Sequence, residues 1–446
     1  MAANSAARVF LAFCCFFSHC ALSWATLPYC GNDSYKYIPL QMGDNGEEYT
    51  LKQVHVIIRH GDRTRANAAP CWANDTAVWD CLLTSASLPV IKHDIHDITV
   101  DRIYRDVYMP GRNDMKGDCG LGHLTFKGYK QEEVNGRNLR QVYVDTGFLS
   151  PNYSSHEVFF RTDDMSRTRQ SAQALALGMF PPSAPSSGKS QVVDINVMDK
   201  DFDDMEPNPN LCPKLNQYQK EFFASESWKQ HYNEKTEPLL AEVEKALGLT
   251  YKLTPEGLNH IADCLFVHIC HGFPIPPTVS SDLVERVASE VEYMWYATFE
   301  YPTIQDHAKV GIGFLISEIW MAMQEALEES KARKFYLYSG HDYTVMPFMT
   351  AFNASDGNWS PYASMIQLEL LETTSSKDTD YAVRLLYQGQ ERVIPYCRRS
   401  PCPLAQFSEY IRAIIPQHPD TDCKVTNPKL WNMPSPPRFG SAKVFF

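Results

Sequence analysis

The fold turns on one stretch, Gln53-Val54-His55-Val56-Ile57-Ile58-Arg59-His60-Gly61-Asp62-Arg63-Thr64. Its first half is mostly apolar and β-branched and reads as a buried strand, while its second half sets an imidazole between two guanidiniums at the strand's carboxyl end. That end is where open α/β sheets place their ligands. Arginine forks match a dianionic phosphoryl group bidentately and stay charged at any working pH, and Gly61 lets the backbone turn tightly. Cationic side chains at the outlet of a buried strand call for an anion. A histidine held among them can attack phosphorus.

The same strand, polar turn and helix recur further on. Glu157 to Arg161 is a short strand candidate, followed by an alanine- and leucine-rich helix from Ser166 to Met179. Gly128 to Thr146 carries helical spacing through Val134, Leu139, Val142 and Tyr143, and Val192 to Val197 suits a third strand. Phe180 to Ser190, rich in Pro and Ser, reads as a loop. From about Cys212 to Ser330 the chain is largely helical, with starts marked by Thr254-Pro255-Glu256 and Ser280-Ser281-Asp282. Strand signals return at Lys334 to Tyr338, Met365 to Leu371 and Val383 to Tyr387. The expectation is an α/β core interrupted by a helical insertion.

The chain has 446 residues, enough for a large core in two lobes, and its 44% hydrophobic and 21% charged composition excludes a disordered or collagen-like chain. A net charge of −12 argues against a nucleic-acid partner. Residues 1–25 carry one cation, Arg8, an apolar run and a Ser23-Trp24-Ala25 end, which reads as a secretory signal peptide. The alternative is an uncleaved membrane anchor. No later stretch is expected to span a bilayer; Val310 to Met323, interrupted by Glu318, reads as a buried helix. Of thirteen cysteines, Cys14, Cys15 and Cys20 fall in the signal, leaving ten, an even set suited to disulfides in an oxidising compartment. Cys71/Cys81 and Cys397/Cys402 are close enough to pair locally. Sequons begin at Asn32, Asn74, Asn152, Asn353 and Asn358, consistent with a secreted or lumenal glycoprotein of the secretory pathway, lysosome or Golgi included.

With these residues in view, the chain resembles the histidine acid phosphatase family of the histidine phosphatase superfamily. That family's Arg-His-Gly-x-Arg-x-Pro signature is matched from Arg59 to Thr64 and departs at Arg65, where proline is usual. Gly122-x-Leu124-Thr125-x-x-Gly128-x-x-Gln131 is similar to the segment opening the next helix. Phe159-Phe160-Arg161-Thr162-Asp163-Asp164-Met165-Ser166-Arg167-Thr168 resembles the second phosphate-binding segment, and Phe335 to Asp342 the distal His-Asp motif. His93-Asp94 and His96-Asp97 lack a preceding apolar strand and read as surface loop.

The resemblance implies a phosphoglycerate-mutase-like three-layer α/β core, a central mixed β-sheet flanked by helices, with an inserted helical cap. The corresponding divisions are a signal over 1–25, core over 26–200, cap over 201–305 and core again over 306–446. It also implies catalysis by His60 as nucleophile and Asp342 as proton donor, with Arg59, Arg63, Arg161 and His341 on the phosphate, no cofactor and no metal. The reaction implied is acid hydrolysis of a small-molecule or glycan phosphate monoester through a phosphohistidine. Two other enzyme readings are a narrow sugar-phosphate phosphatase, resembling the 2-phosphoxylose relatives, and a phytase-like one. Outside enzymes stands a silent phosphate-binding protein.

Three patterns compete weakly. Cys264 to His271 gathers two cysteines and two histidines, yet fits none of the usual zinc spacings and reads better as bridged cysteines. Gly188-Lys189-Ser190 lacks a phosphate loop's first glycine, and Gly311-Ile312-Gly313 lacks the third of a dinucleotide fingerprint.

Overall fold

The computed structural model describes residues 27–31, 37, 48–67, 70–81, 86–94, 97–105, 115–181, 192–328, 332–374 and 379–424. The apolar opening segment, the Asn32 sequon, His96 and Gly188-Lys189-Ser190 lie outside them.

Seven strands form one mixed sheet: β1 (Tyr49–Arg59), β2 (Val158–Asp163), β3 (Asn196–Met198), β4 (Phe335–Gly340), β5 (Met365–Thr374), β6 (Thr379–Tyr387) and β7 (Gln390–Arg392). A short eighth, β8 (Cys402–Pro403), pairs with β6 off the main path, whose order is β7-β6-β5-β1-β4-β2-β3. Pairings β1–β4, β4–β2 and β2–β3 are parallel; β5 runs antiparallel to β1. Register fixes the site. Arg59 pairs with Gly340, and Thr162 with Ser339, so the turns after β1, β4 and β2 open side by side at one edge.

Alternation along β1 feeds both faces, as a strand covered by helices on each side requires. Val54, Val56 and Ile58 pack with Leu139 of α1 (Phe126–Leu139) and Leu175 and Met179 of α2 (Ser166–Met179). Ile57 faces the opposite layer, among residues of α9, α10 and α11 defined below. Each fully buried aliphatic side chain of this kind contributes about 1.5–3 kcal/mol.

Between β3 and β4 the chain is helical: α3 (Lys214–Ala224), α4 (Glu226–His231), α5 (Glu237–Leu247), α6 (Pro255–Cys270), α7 (Ser281–Phe299), α8 (Ile304–Val310) and α9 (Gly313–Glu328). The Thr254 and Ser280 hydroxyls cap α6 and α7, as read from sequence. Leu240, Ile261, Leu265, Val287, Val291 and Trp295 of α5 to α7 belong to a further apolar cluster that also takes in Tyr29, Trp79, Trp359 and Tyr362. α10 (Asp342–Ala351) and α11 (Leu404–Ile414) complete the far layer with α9. No single described helix is long and apolar enough to cross a membrane. α8 and α9 pass that test only as a pair bent by 78°, and α9 buries Leu315, Ile316 and Ile319 in the core.

Several local expectations change. The stretch around His93 and Asp97 is a hairpin, Ala86–Asp94 with Asp97–Arg105, because Ala86–Ile91 and Ile98–Tyr104 each carry enough β-formers to pair. The third strand shortens to Asn196–Met198, and the helix expected to Thr146 widens into a π-turn over Arg140–Val144. Cys71 pairs not with Cys81 but with Cys264, and Cys81 with Cys119, whereas Cys397–Cys402 forms as read. Cys30–Cys270 and Cys212–Cys423 complete five bridges. Cys264 and Cys270 are thus each bound elsewhere, and no described group of three or more His, Cys, Asp or Glu is arranged to hold a metal ion.

Candidate active site

Backbone bonds hold the turn after β1 on every side. His60 N–H donates to the Gly340 carbonyl at 2.9 Å and Ala363 N–H to the His60 carbonyl at 3.1 Å. Asp62 N–H donates to Gln131 at 2.9 Å, and Thr125, the cap of α1, donates from N–H to the Asp62 carbonyl at 2.9 Å and from its hydroxyl to the Asp62 carboxylate at 2.5 Å. His271 donates to that same carboxylate at 2.6 Å. Gly61 and Gly128 are needed for contact: a Cβ on either would run into the other's backbone or that of Asp62.

His60 is 1% exposed. Its Nδ1 lies 2.8 Å from the Gly61 carbonyl, which can only accept, so Nδ1 holds the proton and the Nε2 lone pair is free for attack. Burial, then the charges of Arg167, His341, Arg59 and Arg63, push the imidazole well below its ordinary pKa. That environment favours the neutral ring.

Arg59 is fully buried, its guanidinium 4.6 and 4.4 Å from the ring centres of Tyr29 and Tyr362, which are themselves in edge contact. It donates to the Ser360 carbonyl and the Tyr29 hydroxyl, and pairs with Asp342 at 3.0 Å. Arg63 pairs with Asp263 of α6 at 2.8 Å. Asp342 opens α10 and accepts from the Trp359 indole at 2.8 Å and from Tyr343 N–H at 2.9 Å. Burial favours its neutral form, but Arg59, Arg63, Trp359 and His341 outweigh that and hold the carboxyl at about 2.

His341 sits edge-on to His60, ring centres 5.3 Å apart. Its Nε2 donates to Asp163 at 2.5 Å, and its Nδ1 accepts from Arg167 at 3.3 Å. Burial raises the Asp163 pKa, but its contacts with His341, Thr168 and Arg167 prevail and keep it low.

The third arginine requires a correction. Arg161, expected on the phosphate, is bound by Glu318, Asp203 and Asp204. It lies two residues before the end of β2, about 6.6 Å back from Asp163, and so meets α9 rather than the site. Arg167, on the first turn of α2, stands there instead, in contact with His341 and within the field of His60. Among the described residues Arg167 forms no ion pair, its Nε lacks a hydrogen-bond partner, and burial together with Arg63 lowers its pKa to about 10. An anion would satisfy it. The signal was present: Arg167 follows β2 as Arg63 follows β1, past the strand end rather than within it.

Sequence reading also missed Tyr29, Asp263, Trp359 and Tyr362, which come from segments with no visible motif, and Asp163, which lies within the Phe159–Thr168 segment but was given no role there. Arg65, in place of the family's proline, is 5% exposed, donates to the Asn67 carbonyl at 2.9 Å and acts on Asp75. A surface cavity of about 380 Å³ beside α7, lined by Glu292, Tyr296 and Asn353 among others, contains no cation to hold phosphate.

An imidazole free at Nε2 beside three guanidiniums, with a carboxyl over them, is equipped for phosphoryl transfer. Residues 50–388 match the model of the histidine phosphatase superfamily, branch 2. The chain belongs to that superfamily. It is a phosphoric monoester hydrolase of the histidine acid phosphatase family. Counting factor 60 of Dictyostelium discoideum is 32% identical over 385 residues, 84% of this chain and 89% of that one. Lysosomal acid phosphatase of Homo sapiens is 26% identical, covering 69% and 74%. In structure the chain is similar to a phytase from Citrobacter braakii, with TM-score 0.55 and 15% identity over 84% of this chain and all of that one, a likeness of fold.

Proposed function

We propose that this branch 2 phosphatase is an acid phosphatase of a lumenal or secreted compartment, working through phosphohistidine at His60. The observation that carries the reading is the His60 tautomer: with Nδ1–H on the Gly61 carbonyl, Nε2 is the nucleophile and is surrounded by Arg59, Arg63 and Arg167. Nε2 attacks phosphorus as the ester P–O bond breaks, the guanidiniums take the charge on the equatorial oxygens, and Asp342 gives its proton to the departing alkoxide. Water then attacks the P–N bond, Asp342 recovers a proton from it, and phosphate leaves with His60 restored. His341, donating to Asp163, positions Arg167. Five disulfides and the lysosomal and prostatic acid phosphatase relatives support an oxidising compartment.

Metal-free hydrolysis of an aryl phosphate from about pH 4 to 8 tests this, with His60→Ala alongside. Activity highest on the acid side and lost in the variant is expected; an unaltered rate in the variant would end the proposal.

A further inference from the structure

Asp263 projects from α6 of the cap onto Arg63, one of the two arginines of the opening motif. Its other carboxylate oxygen accepts from Ala66 N–H at 3.0 Å, and its side chain is only 10% exposed, so its position is fixed from both sides. The Cys71–Cys264 bridge, on the next residue, ties this turn of α6 to the loop following the motif. The charges facing the phosphoryl position are therefore Arg59, Arg63 and Arg167 against Asp342, Asp263 and Asp163, with His341 bonded to the last, Tyr29 and Tyr362 as neutral phenols around the arginines, and Glu206, which burial raises to about 7, neutral on the acid side. With His341 neutral, as its acceptance from Arg167 at Nδ1 requires, and Asp342 carrying the proton it must donate, the balance is one positive charge, which matches a phosphate monoanion. Without Asp263 it would be two, which matches a dianion.

We infer that Asp263 is a specificity-determining residue that sets the charge of the phosphate cradle from the cap, so that the site prefers the singly ionised form of its phosphate. The inference rests on the proposed phosphate site. It gives the acid preference a second origin, independent of the proton on Asp342: as pH rises the ligand gains a charge that the cradle cannot balance.

The test is calorimetric titration of inorganic phosphate into the full-length wild type, Asp263→Asn and Asp263→Glu, at about pH 5 and about pH 8, where phosphate carries close to one and two charges. The wild type should bind about tenfold or more weakly at the higher pH, Asp263→Asn should regain most of that loss, and Asp263→Glu should behave as the wild type. Equal wild-type affinity at both pH values overturns the inference even if the asparagine variant fails to fold. So does an asparagine variant that folds and binds no better than wild type at the higher pH. Absence of phosphate binding by the wild type at both pH values would instead contradict the proposed function.

Discussion

At the scale of single residues, Arg161 and Arg167 differ by where their guanidiniums find negative charge. Arg161 already has three carboxylates, two of them bound to it along one nitrogen, and its loss leaves them facing one another in a largely buried site. Arg161→Ala should therefore lower stability by about 3 kcal/mol, read by denaturant unfolding, with kcat/KM changed less than about tenfold. Arg167→Ala should do the reverse, costing about 100-fold or more in kcat/KM with a near-normal unfolding midpoint. Asp342 has the other instructive environment. Its pKa of about 2 lies below the ordinary carboxylate value, so the free enzyme carries it ionised at every pH above that, and the proton it is proposed to donate must arrive with the ligand. A bound phosphate takes up the charge of Arg59 and Arg63 and raises the carboxyl, so phosphate binding at about pH 5 should be accompanied by proton uptake, measurable by calorimetry in buffers of different ionisation enthalpy. Asp342→Asn should slow alkyl phosphates far more than nitrophenyl phosphate, whose leaving group needs little protonation. Equal losses on both substrates would remove Asp342 from the acid role.

At the scale of elements, the site depends on the ends of three parallel strands and the helix starts that follow them. β1 delivers Arg59 and His60, β4 delivers His341 and α10 Asp342, and β2 ends at Asp163 with Arg167 one helical turn on. These strands were legible because they are short apolar runs each ending in polar residues. The hydroxyl caps of α6 and α7 were legible for an equally local reason. Arg161 was misassigned because a motif written in one dimension does not say how far along a strand a side chain lies; a distance of two residues separates the phosphate site from an ion-pair cluster. Tyr29 and Asp263 could not be read at all, since each reaches the site by a contact across 30 residues or more that only the folded chain creates. The contact of the motif turn with α1 yields its own expectation. Gly128→Ala should lower both the melting temperature and kcat, because the added Cβ meets the Asp62 backbone and the turn carrying His60 must move.

At the scale of the whole molecule, two covalent ties join the cap helix α6 to the core: Cys30–Cys270, 240 residues apart, and Cys71–Cys264, 193 apart. Both lie beside residues that touch the site, Tyr29 in one case and Asp263 in the other. Replacing Cys71 and Cys264 together by serine should cost about 2–4 kcal/mol of stability, read by unfolding, and raise KM more than it lowers kcat, because Arg63 loses its fixed partner. The five bridges, the helical insertion and the mixed sheet surround a site between the strand ends and α6, where the proposed reaction is covalent. That claim is tested most directly by mixing the protein with an aryl phosphate at acid pH, quenching within a turnover into alkali, and mapping the product by peptide mass spectrometry. A phosphoryl group on the peptide containing His60, absent from His60→Ala, is the expected result. Turnover with no phosphorylated histidine, or with the group on His341 instead, would contradict the account.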